Sequence, residues 1–109
     1  MNAPYRNKKL TNAAKGQECT LQIPGVCIGG TETTVACHSP LWEDRNGTKA
    51  PDHAISFGCV ACHSVLDRRE KHYDGEQVQL MPEDEQRYYF HRGMVRTLAN
   101  LIERGIIKA

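Results

Sequence analysis

The sequence predicts a small α+β domain, and three observations carry that reading. Residues 33–38 and 55–57 are short runs of β-branched and apolar residues that read as strands. A segment opening on Cys59-Val-Ala-Cys62 reads as a helix that starts at a paired-cysteine turn. Residues 82–104 carry the start and stop signals of a longer C-terminal helix. At 109 residues a single domain, 1–109, is expected. A chain this short buries a limited core, so an added staple is expected too.

The elements follow in order. Residues 9–15 suit a short helix that Gly16 ends, and residues 18–23 alternate as a strand would. Pro24-Gly25 signals a turn that delivers Cys27, and Gly29-Gly30 signals another. The strand 33–38 stops before Pro40. Residues 41–52 hold Asn46-Gly47 and Pro51 and read as a loop, or a hairpin loop with two polar arms. The strand 55–57 leads through Gly58 into a helix over 62–71, with Val65 and Leu66 inward, which Tyr73-Asp74-Gly75 breaks. In the last helix, Pro82 suits the first turn and Glu83, Asp84 and Glu85 suit a positive N-terminus. Tyr88, Val95, Leu98 and Ile102 recur at helical spacing, so the element reads as a core-packing helix. Gly105 is its stop, and Gly93 weakens its middle.

The net charge of +1 carries no message by itself, but its distribution does. Residues 1–17 form a basic arm with Arg6, Lys8, Lys9 and Lys15 and no acid. Residues 74–85 hold Asp74, Glu76, Glu83, Asp84 and Glu85 and no base. Such an arm can neutralise phosphates; the plainer alternative is a solvated terminus. No run is long and apolar enough for a membrane span, and the N-terminus lacks an apolar signal region. A soluble cytoplasmic chain without a membrane partner is expected.

The five cysteines are Cys19, Cys27, Cys37, Cys59 and Cys62. An odd count without a secretion signal argues against a disulfide framework. Cys59 and Cys62 have the spacing of a metal knuckle, and Cys19 and Cys27 bracket a short strand and a turn. Four thiolates would complete a closed tetrahedral zinc site. The alternatives are reduced core thiols or a redox pair, although the latter wants a βαβ context that is absent. Cys37 is then the spare thiol, a small buried hydrophobe or a further ligand.

His63 follows Cys62 and opens the helix, with Asp67 four residues on along the same face. His38 ends a strand within Ala36-Cys37-His38-Ser39-Pro40, and Asp52-His53 lie between the two histidines. Hydrolysis of a phosphodiester needs a base for water and a cation for the phosphoryl and leaving oxygens. Each residue also has a bland role. His38 could be a buried structural histidine, and His63 a neighbour or substitute ligand of the structural zinc. Asp67 could pair with Arg68 or Arg69, and Asp52 and His53 could be plain loop residues. Arg68, Arg69, Arg92 and Arg96 could touch phosphates or simply face solvent. His72 and His91 read as surface or helix residues.

The order of these residues resembles the HNH (His-Me finger, ββα-metal) endonucleases: a strand ending in histidine, a loop, a second strand, then C-x-x-C-H opening a helix. The chain is most similar to the phage and prophage YbcO-like nuclease family. That resemblance rests on Lys15-Gly-Gln-Glu-Cys-Thr-Leu-Gln-Ile-Pro-Gly-Val-Cys27, Gly47-Thr-Lys-Ala-Pro-Asp52, Cys59-Val-Ala-Cys-His63 with Asp67-Arg-Arg69, and Gly105-Ile-Ile-Lys-Ala109. It implies a zinc-stapled ββα-metal core with a C-terminal helix. It implies a metal-dependent DNA endonuclease that leaves 5′-phosphate and 3′-hydroxyl ends; low sequence specificity is expected because the sequence offers no dedicated reading helix. The setting implied is phage or prophage recombination or DNA processing, in the cytoplasm of the bacterial cell.

In this resemblance Cys19, Cys27, Cys59 and Cys62 hold structural zinc. His38 is the general base, and His63 with Asp67 holds one catalytic divalent ion: magnesium, manganese, nickel or zinc. The position that many relatives fill with asparagine falls near Ala54 counting back from His63, and a shift of one or two residues makes Asp52 or His53 its stand-in; Cys37 stands where many have a metal-binding Asp or His. A thiolate suits magnesium poorly, so Cys37 either leaves the metal shell or biases it toward softer ions. DNA contacts fall to Arg6, Lys8, Lys9, Lys15, Arg68 and Arg69. A homodimer is compatible with this reading. The rival is a non-catalytic zinc module that binds DNA or a phage recombination protein.

Overall fold

A computed structural model describes residues 5–41, 49–67 and 81–108. The Asn46-Gly47 loop signal, the helix beyond residue 67, the Tyr73-Asp74-Gly75 breaker, His72, Arg68 and Arg69 lie outside the described residues. So do Asp74 and Glu76 of the acidic run.

The described chain runs α1 (Lys8–Asn12), β1 (Val35–His38), β2 (Ile55–Gly58), α2 (Val60–Leu66) and α3 (Glu83–Glu103). β1 and β2 form an antiparallel pair in which Val35 faces Gly58 and His38 faces Ile55. A small α+β protein is thus observed, with two strands followed at once by a helix. All of β2 is buried. Its alternating faces serve two cores. Ile55 and Phe57 pack with Leu10, Ala13, Ala14 and Leu101. The other core gathers Cys19, Leu21, Cys37, Cys59, Cys62, Leu66 and Phe90.

Residues 18–23 alternate in sequence, yet they form no strand. Gln22 takes a left-handed backbone, φ 45°, which turns the run back on itself. What remains caps the outer edge of β2. The Thr20 amide donates to the Phe57 carbonyl at 2.8 Å, and the Phe57 amide reaches the Thr20 and Thr97 hydroxyl oxygens, each at 3.0 Å. Two threonine side chains thereby stand in for a third strand and satisfy buried backbone groups.

The expected basic arm is not free over its described part. Asn7 caps α1 by accepting from the Lys9 amide, and Leu10, Ala13 and Ala14 are buried. α2 starts at Val60, two residues before the expected position. Its N-cap is Cys59, whose sulfur accepts from the Cys62 amide.

In α3 the buried residues are Gln86, Phe90, Gly93, Thr97 and Leu101. Tyr88, Val95, Leu98 and Ile102 share the opposite, exposed side. Gly93 therefore does not interrupt the helix. It lets α3 approach the sheet, because a Cβ there would lie 2.8 Å from Leu21 Cδ2 and 3.0 Å from Ser56 Cβ. Alanine normally favours a helix over glycine by about 1 kcal/mol. Gly93→Ala is nevertheless expected to destabilise by about 1–2 kcal/mol, since overpacking a close-packed core outweighs that gain. A urea denaturation midpoint at or above that of the parent would contradict this packing. The helix ends at Gly105, φ 72°, where the Ile106 amide donates to the Leu101 carbonyl and the Gly105 amide to Ile102. This is a Schellman stop, and Ile106 also packs on the core that holds Leu101. None of the described helices is long and apolar enough to cross a membrane.

Candidate functional site

Two clusters of chemically competent side chains emerge. The first is the cysteine quartet. The sulfurs of Cys19, Cys27, Cys59 and Cys62 all lie within 4.8 Å of one another. Two matching turns set this geometry. The Cys62 amide donates to Cys59 Sγ, and the Gln22 amide donates to Cys19 Sγ, each at 3.4 Å. The left-handed Gln22 thus closes a knuckle at the same i, i+3 spacing as Cys59 and Cys62. The second member of each ligand pair arrives differently: Cys62 lies in α2, whereas Cys27 follows the Gly25 turn, its amide bonded to the Ile23 carbonyl.

The thiols are electrostatically crowded. A hydrogen bond from Cys62 holds the Cys19 thiol down to about 5. That same bond, together with burial, pushes Cys62 up. Burial raises Cys27. Four neighbouring sulfurs can all ionise only with a cation among them. Zinc–sulfur bonds of about 2.3 Å in a tetrahedron place sulfurs roughly 3.8 Å apart, and Cys27 and Cys59 already stand at 4.0 Å. The quartet could hold a metal ion, and its size, softness and closure fit structural zinc. Cys37, the spare thiol, is fully buried in the core, with its sulfur 2.7 Å from where a Gly58 Cβ would lie. It packs within the core, and its thiol donates to the Val35 carbonyl at 3.7 Å.

The second cluster surrounds His38 at the end of β1. His38 Nε2 lies 2.8 Å from Asp52 Oδ1. Asp52 is buried, 6% exposed, and also accepts from the Asn7 amide at 2.7 Å and from Arg6 at 3.3 Å. Burial pushes the Asp52 carboxyl up. The His38 hydrogen bond, the Asn7 amide and the His38 and Arg6 charges outweigh that and hold it below the ordinary carboxylate value. An ionised carboxylate only accepts, so Nε2 carries a proton in either charge state of His38, and in the neutral ring the lone pair falls on Nδ1.

This pairing makes acid stability a test. A carboxyl whose folded value is lowered contributes stability above its unfolded value, about 3.9, and loses it as pH falls through the folded one. The stability advantage of the parent over Asp52→Asn should therefore shrink progressively below about pH 4. An advantage independent of pH in denaturant titrations would contradict the ionised clamp.

The remaining expected residues divide. His53, beside Asp52, is exposed, its ring 5.7 Å from that of Tyr5 at a 52° tilt. His63 Nε2, on α2, sits 3.2 Å from Oδ2 of Asp67, the residue that caps its C-terminus, both partly open to solvent. Among the described residues, the cysteine quartet is the group of three or more His, Cys, Asp or Glu that could hold an ion. Lys8, Lys9 and Lys15 are exposed. Arg6 is exposed too, but its guanidinium lies along the loop before β2, donating to the Ala50 carbonyl at 2.6 Å and the Lys49 carbonyl at 3.0 Å. Arg92 and Arg96, read as possible phosphate contacts, instead clamp the first knuckle. Arg92 donates to the Leu21 and Gln22 carbonyls, and Arg96 to the Thr20 carbonyl and Gln22 Oε1. The role of Gln22 was open to a sequence reading, since it stands three residues after Cys19. The roles of Arg6 and Asn7 had no local signal.

Comparison with known proteins agrees across the chain. A family profile described as "Putative nuclease YbcO" matches residues 8–106. Proteins of that name from Escherichia coli K12 and from Enterobacteria phage 82 are each 38% identical over 101 residues, covering 92% of this chain and 97% of the relative. A solved structure titled "Structure of a putative bacteriophage protein from Escherichia coli str. K-12 substr. MG1655" superposes with a TM-score of 0.66 at 33% identity. It spans 87% of this chain and 98% of that one.

Proposed function

This chain belongs to the YbcO nuclease family, and we propose that it is a metal-dependent DNA endonuclease with an HNH-type ββα core. The carrying observation is the buried Asp52 carboxylate bonded to His38 Nε2 at the end of β1. A base must be both oriented and correctly protonated, and this contact supplies both. In the proposed step His38 Nδ1 takes a proton from water. The water oxygen bonds to phosphorus, the bond to the 3′ oxygen breaks and that oxygen takes a proton from solvent water, leaving 5′-phosphate and 3′-hydroxyl ends. His63 and Asp67 offer two ligands, which suits a hydrated divalent ion that keeps several waters. Such an ion supplies charge neutralisation for the phosphoryl and leaving oxygens. Structural zinc in the cysteine quartet anchors the start of α2, and hence His63.

The substrate reading follows from charge. α1 follows directly on the Asn7 amide that binds Asp52, so Lys8 and Lys9 are chain neighbours of the His38 clamp. Replacing Lys8, Lys9 and Lys15 together by glutamine is expected to weaken DNA binding and flatten its log–log salt slope by roughly two to three units. An unchanged slope in a binding titration would assign these lysines to solvent. The phage 82 relative supports a role in phage or prophage DNA processing in the bacterial cytoplasm.

One observation favours the second reading, a non-catalytic zinc module that binds DNA or a recombination protein. No described third ligand joins His63 and Asp67. Cleavage of plasmid DNA across a panel of magnesium, manganese, nickel and zinc separates the two. The endonuclease reading expects metal-stimulated nicking by the purified parent, and the module reading expects none.

A further inference from the structure

Arg6 belongs to the acid-free N-terminal run, where a phosphate contact is the natural expectation. Its guanidinium is spent elsewhere. It spans the Lys49 and Ala50 carbonyls and Asp52 Oδ1, the same oxygen that meets His38 Nε2. The next residue gives its backbone amide to Asp52 Oδ2. In return, the Asp52 amide donates to the Tyr5 carbonyl at 2.9 Å. The N-terminal segment is thus laced to the loop before β2, 43 to 46 residues away, with Asp52 at the centre.

We infer that Arg6 is a positioning residue for His38, acting through Asp52. Three donors from two parts of the chain, Arg6 and the Asn7 amide from the N-terminal segment and His38 from β1, hold one buried carboxylate in a single orientation. The carboxylate then fixes the ring of His38 through Nε2 and leaves Nδ1 outside the clamp. The guanidinium has a second effect. Two cations sharing one carboxylate oxygen repel each other, so loss of the guanidinium removes a repulsion that a protonated His38 ring would feel. The charged groups at the clamp are Asp52 from the loop, His38 from β1 and Arg6 from the N-terminal segment. Lys8, Lys9 and Lys49, the next cations along the chain, are exposed. The catalytic part of this inference rests on His38 being the base; the electrostatic part does not.

The test uses the full chain with its metal and compares parent, Arg6→Gln and Arg6→Lys. The first readout is the pH midpoint at which the His38 ring signals move in NMR spectra, assigned by their absence in His38→Ala. Arg6→Gln is expected to raise that midpoint by about half a pH unit or more. Arg6→Lys, which keeps the charge and loses the fork, should stay nearer the parent. The second readout is cleavage, where Arg6→Gln should lose roughly tenfold in kcat and shift the acid limb of the pH–rate profile upward with the ring midpoint. An unmoved midpoint in Arg6→Gln, or equal rises in both variants, overturns the inference. If the midpoint moves as expected while His38→Ala cleaves like the parent, the clamp stands and the base assignment fails instead.

Discussion

Cys59→Ser is expected to remove the bound zinc and most of the folding free energy together. Cys59 holds three positions at once. It is the N-cap of α2, the acceptor for the Cys62 amide, and a sulfur 4.0 Å from that of Cys27. In small zinc domains metal binding free energy is largely folding free energy, on the order of 10 kcal/mol apparent. A folded domain typically has about 5–15 kcal/mol in hand, so losing one thiolate of four is expected to unfold the variant at ordinary temperature. Cys37→Ser is the matched comparison. It also places a hydroxyl in the core and is expected to cost about 1–3 kcal/mol. It lies outside the quartet, so it should keep one zinc per chain. Elemental analysis with circular dichroism melts of both variants separates the cases. A zinc-free parent with a cooperative melt would remove the staple, as would Cys59→Ser keeping the parent's zinc and melting temperature.

The second large effect is on chemistry. His38→Ala should keep zinc, keep stability within about 1–2 kcal/mol of the parent, and still bind DNA. It should lose cleavage by roughly a hundredfold or more, the usual worth of a positioned general base. His63→Ala should also keep the four-thiolate zinc, yet lose stimulation by added divalent metal. Asp52→Asn should fall between the parent and His38→Ala. An amide can still sit beside Nε2, but it no longer enforces a proton there. The assay is plasmid nicking by identically prepared proteins over a range of metal concentrations. Equal residual activity in all of them would reduce the protein to a binding module. Loss of folded, zinc-loaded protein in His38→Ala would make His38 structural.

Several elements could be read locally because their signals are local. The Cys59–Cys62 knuckle needs a turn of fixed length, and that turn is written in four residues. The limits of α3 follow from Pro82, three acids and Gly105, each acting within one helical turn. The face of α3 that is buried could not be read this way. The conspicuous apolar set, Tyr88, Val95, Leu98 and Ile102, is exposed, while glycine, threonine and glutamine face inward. The reason is steric and polar. β2 comes so close that Gly93 is needed, its Phe57 amide needs the Thr97 hydroxyl, and the Leu66 carbonyl at the end of α2 needs Gln86. Hydrophobic periodicity registers none of these demands.

By itself, then, the sequence determined the metal-binding residue types, the strand-strand-helix order and the histidines that could do chemistry. Tertiary structure alone decided how they are wired. Asp52 and His53 were equivalent loop candidates until the fold buried one against His38 and left the other exposed beside Tyr5. Arg6 was one cation among four until a loop more than 40 residues away supplied two carbonyls and a carboxylate. Ligand spacing is set by short-range chain geometry and survives in one dimension. The partner of a buried charge is set by which desolvated groups close packing forces together, and that exists only once the chain has folded.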